Sequence, residues 1–414
     1  MIVNQWVPAA HQGDAIGDSA RRVRSLLRDL GHQSDLYAMT IDDELRGDVI
    51  PWTDTGATRG DLTIFHFALV SPMTERFAQL SSGRVLQYHN VTPAHFFAGY
   101  DAAIYRLAML GREDLKSLVG RTDMAFGDSE YNRQELAALG FHPTGVLDVV
   151  PGFDHLRGPA NYTVAGAFDD DWVNVLFVGR VIPNKRFEDV IRAFHAYKTW
   201  FNPRARLLLV GAHSGFERYL TMLHAFIARV GARDVHLVGH VSNEELTAYY
   251  ELADIFVCAS EHEGFCVPLV ESFHMGVPVL AYAATAVPST MDGAGILYTN
   301  KDPMHMAALI NTVVDDRALA DRILEGQDAA LARLAAKDFG GTLLRHIDAV
   351  LASPRMPHPG VAFDFWDQVD RAEELDEIKA HRPSAFLALP PEPFDSARDN
   401  ASLAQDKPDA GAKP

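Results

Sequence analysis

The 414-residue chain predicts an α/β protein of two doubly wound parallel-sheet domains followed by a tail. Three observations carry that prediction. The length exceeds an ordinary single domain, and 48% apolar residues suffice for two cores. Short apolar runs alternate with helical patterns to about residue 350, as strand–helix–strand units require. One stretch rich in Gly, Pro, Asn and Asp, residues 151–172, interrupts the alternation near the middle.

The expected strands of the first half are Ile2–Val7, Asp35–Met39, Leu62–Phe67, Val85–Tyr88, Met124–Gly127 and Val146–Val150. Those of the second half are Val173–Val178, Arg206–Val210, Val235–Val238, Ile255–Cys258, Val277–Ala281 and Ile296–Tyr298. Several are almost wholly apolar, which suits parallel strands covered on both faces. Between them Ala20, Val23, Leu27 and Leu30 share one helical face that Gly31 ends, and Phe187, Val190, Ile191, Phe194 and Tyr197 form a second stripe. The organisation expected is a first domain over 1–150, a junction over 151–172 and a second domain over 173–330. A helix over 331–352 packs near the junction, and 353–414 form a largely disordered tail. Nine of the 22 prolines fall in that tail, and a short helix is expected at Asp370–Lys379.

Composition excludes several classes. A net charge of −18 argues against non-specific nucleic-acid binding, which needs cations to neutralise phosphates. Two cysteines, Cys258 and Cys266, make neither a disulfide framework nor a CxxC site, and a reducing cytoplasm suits them. No apolar run is long enough to span a bilayer, and the N-terminus reads as a strand instead of a signal peptide. There is no GxxxxGK[ST] loop, no GxGxxG after a strand and no HExxH. Asp169–Asp171 reads as solvated linker charge, and His66, His95, His155, His213 and His236 show no ligand spacing.

Two segments carry the chemistry. Glu263-Gly-Phe-Cys-Val-Pro-Leu-Val-Glu271 follows an apolar strand and enters a helix, with Pro268 at its start and Gly276 at its stop. Glu271 in the first turn could accept from ribose hydroxyls, and Glu263 would face the crevice where such sheets bind ligands. Equally, Glu271 could only complement the helix dipole and Glu263 be a solvated loop charge. In Phe177-Val-Gly179-Arg180-Val-Ile-Pro-Asn-Lys185, Gly179 lets the backbone turn. Arg180 and Lys185 then form either a diphosphate-holding pair or a basic turn on an acidic surface.

Together these segments resemble the retaining glycosyltransferases of the GT-B fold, the group 1 or family 4 class. The family's Gly-Arg…Lys and Glu-x7-Glu motifs occur here as Gly179-Arg180…Lys185 and Glu263…Glu271. Val210-Gly211, Gly239-His240-Val241 and Gly276-Val-Pro-Val279 add to the match, which is dense from Val173 to Tyr298. In the first half, Gln12-Gly13-Asp14-Ala15-Ile16-Gly17 resembles the family's glycine loop, with Gln12 in place of its first glycine. Tyr88-His89-Asn90-Val91-Thr92-Pro93 resembles the active-site histidine segment, and Gly127-Asp128-Ser129 through Arg133 the opposite wall of the cleft. Pro288-Ser289 stands where the family often has Pro-Glu.

The resemblance implies two Rossmann-like domains facing a cleft. It implies metal-independent transfer of a hexose from a nucleotide diphosphate sugar, with retention, to a saccharide or lipid-linked saccharide hydroxyl. The nucleotide sugar is a co-substrate and no other cofactor is implied. Arg180 and Lys185 would neutralise the diphosphate and Glu271 would hold the ribose. Glu263, Gly264, Phe265, Cys266 and Val267 would position the sugar, with His240 and Val241 beside the base. Gly179 and Gly13 would allow close approach to phosphate, and His89 would reach the sugar. Asp14, Asn90 and Ser129 would line the acceptor side. GDP-mannose and polysaccharide assembly at the cell envelope are the guesses that this resemblance favours. The alternatives on the same fold are an epimerase, a phosphorylase or a non-catalytic nucleotide-sugar binder. Arg21, Arg22, Arg24 and Arg28 on the first helix, with Arg106 and Arg112, leave room for peripheral membrane contact at the inner face.

Overall fold

The apolar runs assemble into two parallel sheets in a computed structural model that describes residues 1–11, 13–149, 152–353 and 379–380. The first domain holds β1 (Val3–Ala10), α1 (Ala15–Asp29), β2 (Leu36–Ile41), β3 (Ile50–Pro51), β4 (Leu62–Phe67), α2 (Met73–Ala78), β5 (Gly83–Tyr88), α3 (Ala102–Ser117), β6 (Met124–Gly127), α4 (Glu130–Leu139) and β7 (Thr144–Val146). Its strands run in the order β3-β2-β1-β4-β5-β6-β7, every pairing parallel.

The second domain follows from α5 (Tyr162–Phe168) through β8 (Val173–Val178), α6 (Phe187–Trp200), β9 (Ala205–Val210), α7 (Glu217–Val230), β10 (Val235–Gly239), α8 (Asn243–Glu251), β11 (Ile255–Cys258), α9 (Val267–His274), β12 (Val279–Tyr282), α10 (Val287–Met291) and β13 (Ile296–Tyr298). Then come α11 (Pro303–Asp315), α12 (Arg317–Ala335) and α13 (Phe339–Ala352). The second sheet has the order β10-β9-β8-β11-β12-β13, again all parallel. In both sheets the order reverses beside the first strand of the domain. That places the crevice for a ligand at the carboxyl ends of the central strands.

The expected helical faces are the buried ones. Ala20, Val23 and Leu27 of α1 are buried, and Phe187, Val190, Ile191, Phe194 and Tyr197 of α6 are fully so. Leu30 departs from the pattern: it lies beyond the helix as its cap and is 40% exposed, while Gly31 turns the chain at φ +84°.

Among the strand boundaries that differ, two do so for a hydrogen-bonding reason. The strand expected over Val146–Val150 lies instead at Thr144–Val146 (β7): Leu147 N still donates to Gly127 O, but the Leu147 carbonyl accepts from the Gln87 side chain, which ends the ladder. Val277–Ala281 becomes β12 because Val277 N closes the end of α9 on Ser272 O and Pro278 has no N–H to give. The edge strand β3 is too short to register as an apolar run.

Within 152–172, α5 packs on the second domain: Phe168 meets Tyr249 and His236, and Asn161 N donates to Glu244 O. The acidic run before β8 is exposed, as expected of solvated charge, and within it Asp170 pairs with Arg206 and Asp171 with Arg204. The helical pattern near the end divides at 336–338, and α13 crosses back to the first domain. There Leu343, Ile347 and Val350 join Val3, Ile64, Val85 and Phe126 in one core. Val150, Pro151, the expected tail and its short helix up to residue 378 lie outside the described residues.

Among the described residues no helix is long and apolar enough to cross a membrane. The arginines of α1 do not form a free basic face. Arg24 is buried and forks onto Asp48, Arg21 pairs with Asp18, and Arg28 with Asp35. Arg112 is tied to Glu135, and Arg22 and Arg106 have partners as well.

Candidate active site

The carboxyl ends of β8 and β11 bring the two motifs together. After β8 the chain makes a helical turn, Pro183–Lys185, that aims Lys185 inward. Its Nζ donates to Glu263 Oε1 at 2.5 Å, and the two side chains are 14% and 7% exposed. Burial disfavours the ammonium. The Glu263 carboxylate more than offsets this, so the Lys185 pKa is raised and the group stays charged. The Glu263 backbone is clamped on both sides by Thr285, whose hydroxyl accepts from Glu263 N and donates to Glu263 O.

Arg180 does not join this pair. It is exposed, lies over the Phe216 ring at 5.1 Å and donates to Ser214 O. The glycine requirement expected at Gly179 sits at Gly211 instead. A Cβ on Gly179 would make only ordinary contacts, whereas one on Gly211, at φ +155°, would collide with Gly179 O.

Glu271 lies one residue deeper in α9 than expected, its fifth residue, and is buried. Both carboxylate oxygens are engaged: Oε1 accepts from His155 Nε2 and Oε2 from the Tyr250 hydroxyl, each at 2.9 Å. Cys266 caps α9 at φ +72°, and Val267 begins the helix. The ligating atoms of Cys258, Glu263 and Cys266 lie within 4.8 Å of one another. The Lys185 ammonium already sits on that carboxylate. Phe265 is buried, and its carbonyl accepts from the Thr290 hydroxyl. His240 is exposed and Val241 half-buried on the turn after the edge strand β10, with Gly239 at φ +87°.

The first domain closes over this loop. A Cβ on Gly264 would lie 2.9 Å from Asn90 Cβ and 3.1 Å from His89 O, so only glycine admits the contact. His262 Nε2 donates to Asn90 Oδ1 at 2.8 Å across the cleft, and Asn132 Nδ2 donates to Gly264 O at 3.4 Å. Burial, then Arg112, His95 and Lys185, push the His262 pKa down to about 3, so this imidazole is neutral. Asn90 holds φ +72°, an outlier that places its amide on His262. Tyr100 meets Tyr219 edge-on at 5.0 Å, and Lys337 pairs with Asp148 at 2.6 Å.

His89 is buried with both ring nitrogens in use. Nδ1 meets Asp128 Oδ2 at 2.8 Å, Nε2 meets His66 Nδ1 at 2.8 Å, and His66 Nε2 meets the Gln5 amide at 2.9 Å. Burial, then His89, keeps the His66 pKa well below normal, so His66 is neutral. The atom that faces His66 Nε2 is Gln5 Oε1, so every ring nitrogen of the two histidines is engaged. His89 therefore offers the cleft its backbone carbonyl, not a free imidazole nitrogen.

Asp14 and Ser129 are helix caps. Asp14 accepts from Ile16 N and Gly17 N, and Ser129 from Asn132 N. Gly13 is exposed at φ +73°, a left-handed turn, and Gln12 lies outside the described residues. A cavity of about 380 Å³ between the domains is lined by Ser129, Val146, Phe265, Thr290 and Leu331 among others, but not by Arg180, Lys185, Glu263 or Glu271.

Tyr250, His262 and Thr285 are site residues that the sequence did not single out, His155 was set aside there for want of ligand spacing, and Asn132 entered only within the cleft-wall segment. Each acts through a partner more than 20 residues away, which no local spacing reveals.

Comparison with known proteins agrees with this geometry. Residues 163–327 match the family described as glycosyl transferases group 1. A D-inositol 3-phosphate glycosyltransferase of Kineococcus radiotolerans is 28% identical over 224 residues, 49% of this chain and 52% of that protein. The O-antigen chain mannosyltransferase B of Escherichia coli is 28% identical over 45% of this chain and 51% of its own. A GDP-mannose:cellobiosyl-diphosphopolyprenol alpha-mannosyltransferase of Xanthomonas campestris is 30% identical over 44% and 48%. The match thus spans about half the length of these curated relatives.

Among solved structures, Anabaena HepE in complex with UDP and glucose superposes with a TM-score of 0.65 at 18% identity, over 84% of this chain and all of HepE. The glycosyltransferase WaaG gives 0.62 at 13% identity over 85% of this chain and all of its own. This likeness is one of fold. The chain has the GT-B architecture, and residues 163–327 within it match the glycosyl transferases group 1 family.

Proposed function

We propose that the protein is a retaining hexosyltransferase. It would move a sugar from a nucleotide diphosphate sugar to a hydroxyl of a saccharide or lipid-linked saccharide in cell-envelope polysaccharide assembly. The observation that carries this reading is the buried Lys185–Glu263 pair at the carboxyl ends of β8 and β11, under the first domain. Lys185 and a swung-in Arg180 neutralise the departing diphosphate, so the reaction needs no metal and no cofactor besides the co-substrate. Such a site accelerates transfer chiefly by stabilising charge on the leaving group, with one donor worth about 3–4 kcal/mol. Glu263 and the backbone of Gly264–Val267 position the sugar, and Glu271 holds the ribose.

The side chain of His89 is fixed by Asp128 and His66, so the first domain presents the His89 carbonyl and Asn90 to the reacting sugar. The leaving phosphate takes the acceptor proton on the same face, which retains configuration. GDP-mannose is the first donor to try, as two of the matched relatives are named as mannosyltransferases.

The test is a donor panel with mono- and lipid-linked saccharide acceptors, read by nucleotide release and by the anomeric coupling of the product. Acceptor-dependent release with a retained anomer is expected. Turnover of donor without acceptor, a requirement for inorganic phosphate, or an inverted product refutes the reading.

A further inference from the structure

The ribose-binding carboxylate is already occupied by a side chain from the segment that joins the domains. Glu271 and His274 are three residues apart on α9 and therefore share a face. Two residues of the joining segment, also on one side of an irregular turn, meet them. Phe153 stacks on His274 at 4.4 Å and 9°, and His155 Nε2 donates to Glu271 Oε1 at 2.9 Å. The other face of this segment rests on the first domain: a Cβ on Gly152 would collide with the Arg22 guanidinium of α1. The segment is thus held between α1 and α9, and one of its two ties to α9 is made to the residue assigned to the donor.

We propose that His155 is a positioning latch on Glu271, which a donor ribose must displace, so that donor binding and release of the interdomain segment are one event. The inference rests on the reading of Glu271 as the ribose ligand. The Tyr250 hydroxyl keeps Glu271 Oε2 at 2.9 Å, and burial and Glu271 raise the Tyr250 pKa far above normal. Tyr250 therefore stays neutral and fixes the carboxylate while Oε1 changes partner. The latch is half-buried, so it can open without disturbing a core.

The same contact makes donor binding pH-dependent. The groups facing His155 are Glu271 and His274 on α9, Tyr250 on α8, Asp18 and Arg22 on α1, and Arg157 on its own segment. The hydrogen bond to Glu271, then its charge and that of Asp18, raise the His155 pKa against burial and Arg22. Protonation therefore favours the latched, donor-free form. Binding that takes Glu271 away returns His155 toward its ordinary value and releases a proton. Donor affinity falls as pH drops through the raised pKa and is regained above it.

The test measures GDP and UDP binding to the full chain by calorimetry from pH 5.5 to 8.5. It compares wild type with His155→Ala, His155→Gln and Glu271→Gln. The nucleotide's own phosphate ionisation is common to all four proteins, so only differences in slope count. His155→Ala should bind about fivefold tighter than wild type at pH 6, the worth of one half-buried charged hydrogen bond, and converge with it by pH 8.5. His155→Gln keeps an N–H but no titrating group. It should match wild type at high pH, lose the extra slope and control for folding. Glu271→Gln should weaken binding at every pH.

If both His155 variants keep the wild-type slope, or bind more weakly at all pH values, the latch is overturned while the donor site stands. If Glu271→Gln leaves binding unchanged, or no protein binds either nucleotide, the donor reading itself fails and takes the latch with it.

Discussion

Replacing Lys185 with methionine tests the assignment of the catalytic pair. The ammonium lies 2.5 Å from Glu263 Oε1, and the side chains are 14% and 7% exposed. At an effective dielectric of about 20, the gross attraction at that distance is about 7 kcal/mol. Desolvation of the two charges cancels most of it, so the pair contributes little net stability. Cutting one partner is another matter, because it strands the other charge, at a cost of about 3–5 kcal/mol. Urea unfolding of Lys185→Met should show that loss, and Glu263→Gln a similar one.

The double variant strands nothing and should recover most of the stability, so the coupling should be about 5 kcal/mol or more, the sum of the single losses less the small loss of the double. Turnover should behave differently. Lys185→Met and the double variant should both lose at least about a hundredfold, because neither restores a cation opposite the leaving group. Wild-type stability in Lys185→Met would refute the electrostatic argument. Turnover that returns with stability in the double variant would refute the catalytic one.

Arg180 is exposed and packs only on Phe216 and Ser214, so Arg180→Ala should cost about a hundredfold in kcat/KM with no measurable change in unfolding midpoint. A stability loss matching the activity loss would mean that the residue is structural. Gly264→Ala puts a Cβ against Asn90 and the His89 carbonyl and should hold the domains apart. Small-angle scattering should report a larger radius of gyration than wild type, and an unchanged radius would contradict the closure described. Asp114 is buried beneath Thr74 and Ser71, and burial, only partly offset by those hydrogen bonds, raises its pKa to about 7. Its unfolded form ionises near 3.8, so between the two values the unfolded chain has lost a proton that the fold retains. Stability should then fall by up to about 4 kcal/mol as pH rises from 4 to 7. Asp114→Asn should flatten that fall in urea titrations, and an unaltered pH profile would refute the assignment.

Strand positions were legible because parallel strands buried on both faces must be almost wholly apolar. Leu62–Phe67, Met124–Gly127, Val173–Val178, Ile255–Cys258 and Ile296–Tyr298 begin and end where the apolar run does. Two of the boundaries that moved are those at which a side chain intervenes. Gln87 takes the Leu147 carbonyl, and Gln327 brackets Val277 and Val279 from 48 to 50 residues away. The return of α13 to the first domain was equally hidden. Its apolar face is compatible with either sheet, and only the open flank over Val3, Ile64 and Val85 decides between them.

The site was legible as a set of residues and not as a set of partnerships, and the partnerships change what the residues do. Glu263 and Lys185 look from their spacing like two independent ligands for a sugar and a phosphate. In the fold each is the other's neutralising group across 78 residues, and Glu271 is held across 116 residues by His155. A diphosphate arriving at Lys185 must compete with Glu263, and a ribose arriving at Glu271 must compete with His155. The exchange at Lys185 replaces one charged hydrogen bond with another, so the diphosphate gains little from that contact in the ground state. Charge that develops on the departing diphosphate has no such incumbent. On this reading Lys185 contributes more to the transition state than to donor binding, the condition for raising turnover and not merely affinity.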